Sequence, residues 1–186
     1  MKTLFLGLSL LLMTLANGQQ TLNDVKVPAK FSTGESDLAL NGAGIRTKYF
    51  FKLYVGALYL ESKTSNMSQV LNDNSPIAVN LHITSSLIDE EKMYKAIKAG
   101  FKKSAKNPSA SLKAKIDNFL TKIVKNKVKD GDLFSVYYLK NSSTVKVSVN
   151  GKEIDSIEGE DFRKAIFGIW LGNDPVDEDL LEGMKG

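Results

Sequence analysis

Arg46 and Tyr54 are the side chains of this sequence best suited to hold a ligand. Both lie in GAGIRTKYFFKLYVGALYLE, residues 42–61, and no acid occurs between Asp37 and Glu61. A guanidinium stays charged when it leaves water, and its planar fork matches a carboxylate. Burying it unpaired is costly, so an arginine without a local acid suits an external anion. A tyrosine hydroxyl adds a neutral donor to the same group. Eight positions apart, the two share a face of any extended strand. A continuous strand would nevertheless separate them by roughly 27 Å. They can meet one ligand only if the chain turns between Thr47 and Lys52, and TKYFFK has no Gly, Pro or Asn to mark a turn. The same residues also read as a central core strand with Arg46 snorkelling at its start.

Other chemistry is thinly represented. His82 is the single histidine and there is no cysteine, so neither a thiol nucleophile, a His-based triad nor a zinc-thiolate site is expected. Asp89, Glu90 and Glu91 read as first-turn acids of a helix. Asp155, Glu158, Glu160 and Asp161 lack the spacing of a calcium loop. Gly42 and Gly44 lack the third glycine and the lysine of phosphate-binding loops. No cofactor, no metal and no catalytic residue is assigned.

The first eighteen residues have a positive charge at Lys2, an apolar run from Leu4 to Leu15 and then small and polar residues. That is the pattern of a secretory signal peptide, and the run is shorter than the roughly 20 apolar residues of a membrane span. Cleavage is expected near Gly18, with the mature chain starting at Gln19 in the periplasm and no stable membrane insertion. The formal net charge is +4, and the lysines gather in residues 95–106 and 112–129, where helix periodicity puts them on wet faces. Nucleic acid is not an expected partner. The oligomeric state is left open.

Residues 19–186 read as one domain. DVKVPAKF (24–31) is a short strand with Pro28 at an edge or bulge, and residues 36–61 are strand material broken at Asn41-Gly42. A short helix over 66–72 and an alternating strand over 77–84 follow. Two amphipathic helices come next, over 88–105 and 109–128. Strands over 132–140, 144–150 and 152–158 form a meander in which Asn150-Gly151 is a strong hairpin signal. A helix over 161–172, with Phe162, Ile166, Ile169 and Trp170 inward, and a last short helix from Asp177 close the chain. This order implies an α+β fold, an antiparallel sheet with helices on one face.

Three segments together, GAGIRTKYFFKLYVGALYL, GDLFSVYYLKNSSTVKVSVNGKEI and FRKAIFGIWLGNDPVDEDL, resemble the chalcone isomerase-like family. The resemblance implies an open-faced β-sandwich, with a ligand cleft between a large sheet and a layer of helices. Arg46 matches the arginine that holds an oxyanion in the isomerases and a carboxylate in the fatty-acid binders. Tyr54 matches a position that is threonine in the isomerases and tyrosine in the fatty-acid binders. The isomerases' Tyr and Asn, seven residues apart on the first cleft helix, are not reproduced: Tyr94 is followed by Phe101. The resemblance thus implies a non-catalytic protein binding an apolar carboxylate such as a fatty acid through Arg46 and Tyr54. An isomerase or lyase with Arg46 as oxyanion clamp and an interaction protein with a collapsed cleft are the other readings.

Overall fold

The computed structural model of the protein describes residues 20–186. The expected signal peptide and the mature start at Gln19 lie outside the described residues.

Turn chemistry sets the first element. Asn23 and Asp24 both take positive φ, and short polar side chains tolerate that region, so β1 (Gln20–Leu22) folds back on β2 (Val25–Val27). The expected single strand over 24–31 is therefore split. Pro28 has no N–H to give a ladder, and the chain re-enters a different sheet as β3 (Lys30–Ser32). This second sheet runs β3, β4 (Asp37–Lys48), β5 (Phe51–Leu60), β6 (Ile77–Ile83), β7 (Leu133–Leu139), β8 (Thr144–Val149) and β9 (Lys152–Glu158), antiparallel and in chain order. Five helices are found among the described residues: α1 (Met67–Asn72), α2 (Glu90–Ser104), α3 (Ala110–Lys125), α4 (Glu160–Leu171) and α5 (Glu178–Lys185). None among the described residues is long and apolar enough to cross a membrane.

Helix ends follow local signals. Asp89, Ser109 and Asp177 cap α2, α3 and α5 by accepting the N–H of Lys92, Leu112 and Leu180, which satisfies donors that a helix start leaves free. Burial divides the sheet residues between two cores. Leu58, Val79, Val136 and Val145 pack under the helices against Ile97, Phe119, Phe162 and Trp170. On the opposite face Leu38, Val55, Ala57 and Tyr59 pack with Val27 of the small hairpin. β5 is thus apolar on both faces because both are covered.

Two departures from the sequence expectation matter for the site. The strand does not break at Asn41-Gly42. Asn41 is instead an extra, bulged residue between the Leu40–Tyr59 and Gly42–Leu58 pairs. Its buried amide donates to the carbonyls of Met184 and Lys185 and accepts from the Thr64 N–H. The break falls at Tyr49 and Phe50, with φ of 49° and 72°, forming the two-residue loop whose positive-φ geometry matches strand twist. For bulky residues that conformation costs about 1–2 kcal/mol each. The loop nevertheless forms, because β4 and β5 pair along their length.

His82 shows that the histidine has a structural environment. Ile77, Val79, Leu81 and Ile83 of β6 face the helices, so His82 points to the other side, where its Nε2 is buried without a hydrogen-bond partner. Burial pushes its pKa below the usual histidine value. The unfolded chain then binds more protons than the folded one below about pH 6.5, the ordinary histidine value. Stability is expected to be fully present above that pH and to fall as the pH drops through the folded-state pKa. Denaturant melts of His82→Gln across this range should show a flatter acid limb; an identical limb would mean other groups set it.

Candidate functional site

The turn at Tyr49 and Phe50 puts Arg46 of β4 directly opposite Tyr54 of β5. The Arg46 Cζ lies 6.0 Å from the centre of the Tyr54 ring. The two expected site residues therefore converge, by a turn that no residue type announced. A second irregularity shapes the wall beside them. Arg46 pairs with Tyr54 but Thr47 pairs with Lys52, so Leu53 is an extra residue on β5. A bulge re-aims the side chains on either side of it. Simple alternation puts Phe51 and Leu53 on the face opposite Tyr54, whereas in the structure all three line the same cleft.

That cleft has a volume of about 670 Å³, within the usual range for small-molecule sites, roughly 300–1,000 Å³. Its sheet wall is the end of the β4–β5 hairpin, and its helix wall is the face of α2 carrying Met93, Ala96, Ala99 and Gly100. Ala96 and Ala99 keep α2 from filling the space, and Gly100 lets α2 lie against Ile169 of α4. Arg46, Lys48, Lys92, Lys95 and Lys103 contribute positive charge to the lining, and no carboxylate lines it. Lys92, Lys95 and Lys103 are ion-paired outward, with Asp89, Glu91 and Asp174.

Arg46 makes no ion pair among the described residues. Its Nη1 donates to the Val176 carbonyl at 2.9 Å, which orients the fork and leaves other N–H donors for a ligand. The Val176 N–H in turn donates to the Ile169 carbonyl. Lys103 ties the same loop to α2 through Asp174 and the Pro175 carbonyl. Tyr54 is 7% exposed, and its hydroxyl oxygen accepts the indole N–H of Trp170 at 3.2 Å. Burial raises the Tyr54 pKa above 10 although Arg46 pulls it down, so the phenol keeps its proton at neutral pH. Because its oxygen is already accepting, that proton is the atom it can offer, and polarisation by Trp170 strengthens the offer.

Trp170 and Val176 are supporting residues that sequence reasoning missed. The apolar face of its helix places Trp170 inward without giving it a partner, and Val176 acts through its backbone, which no side-chain pattern records. Both belong to IWLGNDPVD, the segment most specific to the family resemblance. The two isomerase-like helix positions do not meet the cleft. Tyr94 accepts a hydrogen bond from Lys98, and Phe101 is buried against Phe119 and Phe162.

The chain's other arginine, Arg163, is the useful contrast. It is 1% exposed and lies 5.0 Å from the Tyr138 ring centre. Its two terminal nitrogens donate to the carbonyls of Val70, Leu71 and Ser75 at the end of α1 and just after it. That guanidinium is consumed by the fold, whereas Arg46 faces open volume. Gly42 and Gly44 also have a structural purpose: a Cβ on Gly44 would meet the Leu180 carbonyl oxygen at 2.7 Å, so they let α5 lie directly on β4.

A protein-family model described as chalcone isomerase-like matches residues 19–186. Among solved structures, the crystal structure of a fatty-acid binding protein from Arabidopsis thaliana is similar, with a TM-score of 0.70 and 12% sequence identity. The alignment covers 90% of this chain and 95% of that one. At such identity the likeness is one of fold. No curated protein matches the sequence.

Proposed function

This chain belongs to the chalcone isomerase-like family, and we propose that it is a non-catalytic binding protein for an apolar carboxylate such as a fatty acid. The observation that carries this is Arg46, which faces an apolar cleft and makes no ion pair among the described residues. The carboxylate takes charge-assisted hydrogen bonds from the free Arg46 donors and a neutral one from Tyr54. The tail lies along Phe51, Leu53, Met93 and Ala96. The fatty-acid binding neighbour supports a binding role. Isomerase or lyase chemistry is less well served, because Tyr94 and Phe101, the positions of the isomerases' Tyr and Asn, do not line the cleft. The proposal includes export to the periplasm, as the first eighteen residues suggest.

Native mass spectrometry of the protein purified from a heterologous host, before and after addition of a long-chain fatty acid, tests the reading. A bound acid of about stoichiometric amount is the expected result. Failure to find any co-purified or added acid would overturn it. N-terminal sequencing of periplasmic material checks the export step, with a start at Gln19 expected.

A further inference from the structure

We propose that the hairpin tip at residues 49–51 docks the mouth of the cleft reversibly onto an anionic lipid bilayer. Tyr49, Phe50 and Phe51 are 79%, 100% and 57% exposed, and Leu87 is 41% exposed. Tyr49, Phe51 and Leu87 also line the cleft, so the apolar tip and the opening belong to one surface. Consecutive large apolar side chains held in water mark an interaction surface.

The backbone beneath them makes the point sharper. Among the described residues, two other two-residue hairpins have positive φ at both loop positions, Asn23-Asp24 and Asn150-Gly151. Those use residues that accept the conformation readily. The β4–β5 hairpin instead forces two aromatic residues into it and exposes both. Residues that oppose their own local fold, and bury little in return, point to a role outside folding.

Charge selects the occupant. Lys48 and Lys52 flank the tip, and neither makes an ion pair among the described residues. Lys92 and Lys95 add to the rim but are offset by Asp89 and Glu91. Aromatic rings favour the headgroup level of a bilayer, and lysines beside them are drawn to anionic lipid. Three consecutive side chains and Leu87 fall well short of the roughly 800 Å² per partner of a stable protein interface. Shallow insertion needs no complementary partner surface. Docked this way, the cleft opens at the depth where a fatty-acid carboxylate meets water, although docking itself requires no ligand.

Flotation of the mature protein with vesicles free of fatty acid is the test. Vesicles of phosphatidylcholine mixed with phosphatidylglycerol should carry the protein, and vesicles of phosphatidylcholine alone should carry much less. Phe50→Gly should lower binding to the anionic vesicles by about tenfold or more. Its melting temperature should be unchanged or raised, since glycine takes this φ without strain. Lys52→Gln should lower binding by about fivefold. Phe50 and Lys52 do not line the cleft, so both variants should bind fatty acid in solution as the wild type does. Wild-type protein that stays unbound, or binding indifferent to Phe50→Gly, overturns docking whatever the fatty-acid result. Dimerisation without vesicles that Phe50→Gly abolishes would also overturn it, by assigning the tip to a second copy of the chain.

Discussion

Arg46→Gln is expected to lower the affinity for a long-chain fatty acid by about tenfold to a hundredfold, while the alcohol of the same chain length binds nearly as before. Hydrogen bonds to a charged group contribute about 1.5–3 kcal/mol, which corresponds to this range. Glutamine keeps a donor and most of the side-chain length but removes the positive charge. The effect should therefore follow the ligand's charge and not its tail. The variant should fold, because Arg46 is only partly buried and its guanidinium is held to the fold by a hydrogen bond to a backbone carbonyl, that of Val176. Titration calorimetry with the acid and the alcohol, on delipidated protein, reads both numbers. Equal losses for the two ligands would mean that the substitution disturbed the cleft and not a charge contact. No loss for either would remove Arg46 from the site.

The other large effect is one of stability, and its sign opposes helix propensity. Glycine inside a helix costs up to about 1 kcal/mol relative to alanine, so Gly183→Ala in α5 would ordinarily stabilise. Here an added Cβ would stand 2.6 Å from the Gly44 Cα and 2.7 Å from the Ala43 carbonyl oxygen. Both are backbone atoms of β4, which cannot rotate away as a side chain can. Overpacking of this kind costs about 1–3 kcal/mol and occasionally more. With the propensity gain set against it, a net loss of about 1–2 kcal/mol should lower the melting temperature by roughly 2–8 °C. The site should suffer with it, because α5 follows directly on Val176, whose carbonyl holds Arg46. A thermal melt showing Gly183→Ala unchanged or more stable would contradict the close packing of α5 on β4.

Short-range chemistry was legible in the sequence. Apolar periodicity marked nearly every strand and helix, Glu90 and Glu91 are the first-turn acids of α2 while Asp89 caps it from one residue outside, and Asn150-Gly151 makes the hairpin it announces. The family and its α+β sheet with helices on one face could be read from three ordered segments. These signals survive because each arises from residues within a turn or two of one another.

The cleft was written at longer range. Only strand pairing could fold the chain at Tyr49 and Phe50, since the many contacts of a paired hairpin outweigh the preference of two residues. Only the ladder's register shows that Leu53 is bulged and that Phe51 joins Tyr54 on the helix side. Trp170 meets Tyr54 across 116 positions and the Val176 carbonyl meets Arg46 across 130. No local preference encodes a meeting at that distance. By itself the sequence determined which residue types were available to hold an anion; the tertiary structure decided that Arg46 and Tyr54 share one opening, because sheet pairing and the docking of the C-terminal segment place them there.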